Sequence, residues 1–127
     1  MINNKYLRNL YELEDKDFAL SALLQALYGL HEDMLESITN DIPDISDCTD
    51  EELEFLTICA TLIEYKLQEL HQMNCPKWLF DNRLKFNEPY FYQRRFLDEK
   101  KENLIKSNPA PFKNRNVYFE LHAISKL

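Results

Sequence analysis

Histidine and cysteine are the first residues to consider for metal binding or nucleophilic chemistry, and the chain has three of each. His71 and Cys75 lie four positions apart, so on a helix they would share a face and could contact one metal ion. A structural zinc site normally has four ligands, and the remaining ligands would have to come from distant residues. Cys75 also falls at a predicted helix end just before Pro76, where the helix dipole disfavours a thiolate. We therefore predict no metal site, no cofactor and no cysteine nucleophile, and we interpret Cys59 as a core residue.

A run of acidic residues occupies the middle of the chain. Asp41, Asp44, Asp47 and Asp50 recur at every third position. The spacing does not match the ligand order of a calcium-binding loop, and the glycine that such a loop needs is absent. A solvated acidic loop accounts for the run, and a negative surface of this kind also attracts a basic partner and speeds the encounter. The predicted partner-binding residues are Asp41, Asp44, Asp47, Asp50, Glu51, Glu52 and Glu54.

Arg115, Asn116 and His122 form a second candidate set. Arg115-Asn116, followed by five residues and a histidine, resembles the Arg-Asn-x(4–6)-His signature of the helical HEPN ribonucleases. The resemblance implies that Arg115 binds the scissile phosphate, Asn116 positions the site locally and His122 transfers a proton. The competing interpretation, which we prefer, is a structural Arg-Asn pair. An enzyme is therefore the alternative hypothesis.

Charge divides the chain into two parts. The formal net charge is −7, and residues 1–75 carry −12 while residues 76–127 carry +5. The two parts either face different partners or neutralise each other when they pack. Basic and aromatic side chains between Tyr90 and Arg115, including Arg94 and Arg95, are typical of single-stranded nucleic-acid binding. The acidic first part repels phosphates, so we do not expect a nucleic-acid partner.

Length and composition limit the class of protein. The 127 residues, 45% hydrophobic and 29% charged, suit a single domain over residues 1–127. One glycine is too few for a glycine-rich phosphate-binding loop. No apolar run is long enough to cross a bilayer, no secretory signal is recognisable, and an odd number of cysteines does not suit a disulfide framework. We expect a cytoplasmic protein that does not bind membranes, and a homodimer remains open.

The spacing of apolar residues predicts an all-α fold. Intervals of three and four predict one long helix over Asp17–Ile38 and a second over Asp50–Asn74. The ten-residue loop between them favours a long antiparallel helical hairpin. Gly29 lies inside the first helix, and we expect it to allow the close approach of a neighbouring helix.

Local signals predict the remaining elements. Thr49 and Glu52 have the spacing of a capping box at the start of the second long helix. Shorter helices are predicted over Lys5–Leu13 and Tyr92–Lys106, and the rest of the second part is an irregular aromatic tail. Residues Val117–Leu121 are too few to distinguish a short strand from the first turn of a last helix.

The last 50 residues carry one further pattern. Trp78 is followed by Glu88-Pro89-Tyr90-Phe91 and then by the run Ser107–Tyr118, which contains Pro109, Phe112 and Arg115-Asn116. This order resembles the tails of a class of small bacterial proteins with no established activity. The resemblance implies a bacterial or phage origin and a tail that forms a defined structural unit, and it assigns no catalytic residue. From the residues themselves, we expect Phe112 to fill a gap in the core and Arg115 to pair with a carboxylate.

The leading functional hypothesis follows from the acidic run. No motif in the chain brings together a nucleophile, a base and an oxyanion donor. We therefore expect a small protein that docks electrostatically on a basic protein and blocks it, as an inhibitor, an antitoxin or an immunity partner does.

Overall fold

The fold is built almost entirely from helices. The computed structural model describes residues 1–29, 31–92 and 97–121, without the side chain of Leu70. Arg94, Arg95 and His122 lie outside the described residues. The described part has six α-helices and one pair of very short strands, which confirms the all-α prediction. The helices are α1 (Lys5–Tyr11), α2 (Lys16–Gly29), α3 (Glu32–Asn40), α4 (Asp50–His71), α5 (Asp98–Ser107) and α6 (Ala110–Arg115); the strands are β1 (Tyr90–Phe91) and β2 (Val117–Tyr118).

Helix α4 is the central element of the fold. It contacts α1, α2, α6, β2 and the 3₁₀ turn Lys77–Phe80. Its side chains from Phe55 to Glu64 are all buried, so this stretch is covered on every side. Two polar members, Thr57 and Thr61, satisfy their hydroxyl groups by donating to the carbonyl oxygens four residues earlier. None of the described helices, including this one of 22 residues, is both long and apolar enough to cross a membrane.

Helix α2 runs in the same direction as α4. Near its start, the Lys16 ammonium lies 5.5 Å from the centroid of the Phe55 ring, which belongs to the first part of α4. Near its end, the carbonyl oxygen of Leu27 lies 2.9 Å from Nε2 of His71, the last residue of α4. Corresponding ends are therefore adjacent, and the predicted antiparallel hairpin of two long helices is wrong. The return from the end of α2 is made by α3 and the loop that follows it.

The helix predicted over Asp17–Ile38 is divided in the structure. Helix α2 ends at Gly29, and α3 begins at Glu32. Buried apolar residues continue across the division, with Leu27 before it and Met34 after it, so periodicity alone does not reveal it. Among the described residues, a Cβ at Gly29 would meet only the ring of His31, whose Cδ2 would lie 3.0 Å away. The close approach of a neighbouring helix that we expected at Gly29 is therefore wrong.

Strands β1 and β2 organise the tail. They pair in parallel, with Tyr90 opposite Val117 and Phe91 opposite Tyr118. The strand alternative for the start of the segment Val117–Leu121 is therefore the one that forms. Tyr92 continues this pairing by donating its backbone N–H to the Tyr118 carbonyl at 3.1 Å, so the helix predicted from Tyr92 begins instead at Asp98.

Helix α6 forms within the segment that we predicted to be an irregular tail. Pro109 is its N-cap residue and Pro111 lies in its first turn. Proline is tolerated there, because the backbone N–H groups of a first turn have no partner within the helix. Phe112 follows and is completely buried, which confirms the expectation that it fills the core.

Asn108 completes the outer edge of β2. Its buried side-chain amide accepts the N–H of Phe119 at 3.2 Å and donates to the carbonyl oxygens of Phe119 at 3.1 Å and Leu104 at 2.8 Å. One side chain thus supplies the donor and the acceptor that a further strand would otherwise supply. It also joins the end of α5 to the tail.

Replacing Asn108 by alanine tests this edge. The Asn108→Ala variant leaves a buried N–H and a buried C=O of Phe119 unsatisfied, so we expect a loss of about 2–4 kcal/mol in the free energy of unfolding by urea. The exposed Asn103 on α5 provides the matched control, and Asn103→Ala should change stability by less than about 0.5 kcal/mol. A loss below about 1 kcal/mol for Asn108→Ala would show that the edge does not depend on this amide.

Candidate functional site

The acidic residues before and at the start of α4 form an exposed surface. We call it the acidic surface, and it consists of Asp41, Asp44, Asp47, Asp50, Glu51 and Glu54, all exposed. Within the described ranges, lysine and arginine side chains form ion pairs only with Asp81, Glu120 and Glu64. Asp47 lies 3.4 Å from the Met1 ammonium, and the other five carboxylates have no basic partner in that part of the chain. None of these six carboxylates therefore forms an ion pair with a described lysine or arginine of the basic part.

The loop that carries the first three of these aspartates is held by the N-terminal segment. The side-chain oxygen of Asn3 accepts the backbone N–H of Asp44 at 2.6 Å. The amide of Asn4 donates to the carbonyl oxygen of Asp41 at 2.6 Å. Ile45 is buried in the 3₁₀ turn that follows. Because the backbone of the loop is fixed at several points, a partner would meet aspartates whose backbone positions are already set.

Glu52 does not belong to this surface. It is buried, and one carboxylate oxygen accepts the N–H of Thr49 at 2.9 Å while the other accepts the N–H of Ile2 at 2.8 Å. Thr49 in turn accepts the N–H of Glu52, so the predicted capping box is confirmed. The Thr49 N–H and then the Ile2 N–H stabilise the ionised form and hold the pKa of Glu52 below its usual value, although burial acts in the opposite direction. Its prediction as a partner-binding residue is wrong, because its charge is used inside the protein.

Ile42 adds an apolar group to the acidic surface. It lies between Asp41 and the buried Pro43, and 62% of it is exposed. Interfaces between proteins commonly place an apolar residue at the centre of a polar rim. An exposed isoleucine beside several carboxylates has this arrangement.

A groove separates the acidic start of α4 from the residues around Arg83. It has a volume of about 500 Å³, and Asp50 and Glu54 lie on its acidic side. On the opposite side, Arg83 is paired with Asp81, with 2.8 Å between Nη2 and Oδ2. This hydrogen-bonded guanidinium is the main reason why the pKa of Asp81 is below its usual value. Asp81 is therefore the main partner of Arg83 and the first cause of its raised pKa, to which the charge of Asp44 also contributes. Lys85 lines the same groove and forms no ion pair with Asp50 or Glu54 among the described residues.

Arg115 is buried and forms an ion pair with Glu64 of α4. Its Nη1 lies 2.6 Å from the Glu64 carboxylate and also donates to the Pro111 carbonyl, while Nη2 donates to the carbonyl of Leu79 at 2.7 Å. The expectation that Arg115 pairs with a carboxylate is confirmed. Glu64 is absent from the predicted site, and its only sequence signal is a carboxylate that follows nine largely apolar residues of α4.

The ribonuclease alternative requires Arg115 to reach a phosphate, and the structure gives this side chain another role. Only 4% of Arg115 is exposed, and both terminal nitrogens are bonded inside the protein. Asn116 is the C-cap of α6 in the left-handed conformation, and its amide donates to the Phe86 carbonyl at 3.3 Å. These contacts match the structural Arg-Asn pair that we preferred from the sequence. His122 lies outside the described residues.

The histidine and cysteine residues do not assemble a reactive site in the described ranges. His71 contacts the Leu27 carbonyl, as given above, and no group of three or more His, Cys, Asp and Glu side chains there has the geometry to hold a metal ion. Cys75 is half-buried, and burial followed by the nearby Glu64 charge raises the pKa of its thiol. Cys59 is fully buried, as expected for a core residue.

Comparison with known proteins gives no relative for this chain. No protein-family model, no curated protein and no solved structure matches it. Functional inference therefore rests on the residues described above.

The Arg115–Glu64 pair can be tested by a double-mutant cycle. Removing either charge alone, by Glu64→Leu or Arg115→Met, leaves its partner buried and unpaired, so we expect each variant to lose about 3–5 kcal/mol of unfolding free energy. The double variant should lose at least about 2 kcal/mol less than the sum of the two losses. The same cycle on the exposed pair Asp81→Leu and Arg83→Met should give a coupling below about 1 kcal/mol. Additive losses at Glu64 and Arg115 would contradict a buried pair.

Glu52 gives a pH-dependent prediction. A depressed pKa in the folded state means that the carboxylate stabilises the fold at neutral pH, and that this contribution is lost as the pH falls below the usual Glu value of 4.5. We expect Glu52→Gln to lose about 1–3 kcal/mol at pH 7, because an amide has only one acceptor oxygen for two N–H groups. The difference from wild type should shrink at pH 3–4 in urea unfolding, whereas the neighbouring exposed Glu51→Gln should remain within about 0.5 kcal/mol at every pH. A difference that does not change with pH would contradict the role of the charge.

Proposed function

We propose that this is a small protein-binding protein that docks its acidic surface on a basic protein and blocks it. The observation that carries the proposal is a set of five exposed carboxylates that have no basic partner among the described residues. Uncompensated charges of one sign raise the association rate of an oppositely charged partner by about 10- to 1000-fold. The exposed Ile42 supplies an apolar contact within the same surface.

The kind of partner follows from the same chemistry. A protein with a patch of lysine and arginine side chains complements the acidic surface, and such patches occur where proteins bind phosphates or nucleic acids. Covering a patch of this kind would inhibit the partner without any catalysis by this chain. An inhibitor, an antitoxin and an immunity protein all act in this way, and the resemblance of the tail to small bacterial proteins favours a bacterial or phage setting and the cytoplasm.

Charge neutralisation tests the proposal. The variant Asp41→Asn, Asp44→Asn, Asp50→Asn, Glu51→Gln and Glu54→Gln removes the five unpaired charges. The matched control is Glu12→Gln, Glu14→Gln, Asp98→Asn, Glu99→Gln and Glu102→Gln, which removes the same charge from other exposed positions. Each set removes two carboxylates from the first turn of a helix, the acidic-surface variant from α4 and the control from α5. The loss of favourable interactions with a helix dipole is therefore matched as well.

Each purified protein is immobilised on a solid support and incubated with an extract of the source cell at about 50 mM salt. Captured proteins are then identified by mass spectrometry. We expect a basic partner that wild type and control retain, that the acidic-surface variant loses, and that dissociates as salt rises to about 300 mM. With the purified partner, the association rate should fall at least about tenfold for the acidic-surface variant alone. The proposal fails if no basic protein is captured, or if both charge variants retain it equally.

A further inference from the structure

An aromatic pocket lies beside the acidic surface. It has a volume of about 220 Å³ and is formed where the starts of α2 and α4 meet β1. At about 30 Å³ for each water molecule, this is space for about seven waters, and so for a guanidinium group with part of its aliphatic stem. We call it the aromatic pocket, and its walls are Tyr11, Lys16, Leu20, Glu51, Glu54, Phe55, Ile58, Tyr90 and Tyr92.

The rings of this pocket are fixed by their own contacts. Tyr11 and Phe55 meet edge to face, with 5.4 Å between their centroids. Tyr90 stacks on Phe86 at 4.5 Å, and the hydroxyl of Tyr92 donates to Asp17 at 2.8 Å. Tyr11, Tyr90 and Tyr92 are only half-buried. The pocket therefore presents ordered aromatic surface to a ligand, with little rearrangement needed.

The pocket already accepts one cation of the protein itself. The ammonium of Lys16 lies 4.5 Å from the centroid of the Tyr11 ring and 5.5 Å from that of Phe55. It also donates to the backbone carbonyl oxygens of Tyr11 and Leu13. Cations bind over aromatic faces because the ring quadrupole places negative potential there. These contacts identify the rings as a surface that attracts positive charge.

The remaining charges of the pocket favour a second cation. Glu51 and Glu54 are exposed at its edge and are not paired with lysine or arginine among the described residues. Both carboxylates line the pocket together with Tyr11 and Tyr90. In agreement, the pKa of Tyr11 is raised by burial and then by the charge of Glu51, and that of Tyr90 by burial and then by the charge of Glu54. Two glutamates, with Asp17 behind Tyr92, outweigh the single ammonium of Lys16.

We propose that the aromatic pocket binds one arginine side chain of the basic partner, an inference that rests on the proposed function. A planar guanidinium can stack on a tyrosine face and at the same time donate to carboxylates at the edge of the ring. An anion would be repelled by Glu51 and Glu54, and an apolar side chain would gain no interaction with either carboxylate. The pocket thus gives one charged residue of the partner a defined position next to the broader acidic surface.

The probe is Nα-acetyl-L-arginine amide, titrated into the full chain while the aromatic signals of Tyr11, Phe55, Tyr90 and Tyr92 are followed by NMR. Nα-acetyl-L-citrulline amide is nearly isosteric and uncharged, and serves as the ligand control. Glu51→Gln/Glu54→Gln removes the pocket carboxylates, and Glu99→Gln/Glu102→Gln removes two exposed carboxylates of α5 as the protein control.

We expect saturable shifts of the pocket rings with the arginine probe, and binding at least about threefold weaker for citrulline or for Glu51→Gln/Glu54→Gln. The α5 control should bind the arginine probe as wild type does. Equal binding of both probes, equal binding by both double variants, or no saturable shift of these rings would overturn the inference. Because the titration uses a single amino-acid derivative, its outcome is independent of the capture experiment. In that experiment the proposed function is overturned if wild type captures no basic protein, or if both charge variants retain it equally.

Discussion

The buried ion pair between Arg115 and Glu64 is the constraint on which the arrangement of the two oppositely charged parts depends. Removing two charges from water costs several kcal/mol per ion, so such a pair requires a direct contact and further hydrogen bonds. Arg115 meets this requirement by also donating to the carbonyl oxygens of Leu79 and Pro111. These bonds hold α6 and the turn Lys77–Phe80 against the middle of α4. Among the ion pairs of the described residues, this buried pair is the one that joins the basic part to the acidic part.

Because the buried pair is the one ion pair that joins the two parts among the described residues, the start of α4 keeps its negative charge. Glu54 and Glu64 are ten residues apart on one helix, which corresponds to about 15 Å along its axis. The Debye length at physiological salt is about 8 Å, so the charge of Arg115 is too distant to compensate the carboxylates at the start of α4. Of the two basic residues across the neighbouring groove, Arg83 is paired with Asp81, and Lys85 forms no ion pair with α4 among the described residues. The same helix thus supplies the buried centre of the fold and the exposed negative surface from which the function is inferred.

The sequence predicts those features of the fold that depend on neighbouring residues. The helical class, the start of α4, its Thr49–Glu52 capping box and the buried Cys59 all follow from local spacing. The direction of α2 relative to α4 does not, because periodicity identifies the face that a helix buries but not the element that covers it. The division after Gly29 is hidden for a related reason, since the apolar spacing continues from Leu27 to Met34. Asn108 is polar and belongs to no pattern of apolar spacing, and its hydrogen bonds with Phe119 form only in the folded chain.

In the candidate site, too, the sequence predicts only the features that depend on neighbouring residues. The exposed aspartates follow from their regular spacing in a segment predicted to be a loop. Glu52 differs from them because an N–H from the distant Ile2 completes its buried environment. The aromatic pocket combines Tyr11, Phe55 and Tyr90 from three separate segments, and no single stretch of sequence contains it. Charge and capping patterns are local, whereas pockets and buried pairs require the tertiary fold.

The most direct test of the central claim is the electrostatic potential near the acidic surface. It can be measured by NMR from the relaxation that a cationic and an anionic nitroxide cosolute each cause at individual protons. If the carboxylates are uncompensated, protons of residues 41–54 will relax faster with the cationic than with the anionic cosolute. This preference will be much weaker along α5, where three lysines are interspersed with three carboxylates. Equal effects of the two cosolutes over residues 41–54 would show that the charge is neutralised, and would contradict the account.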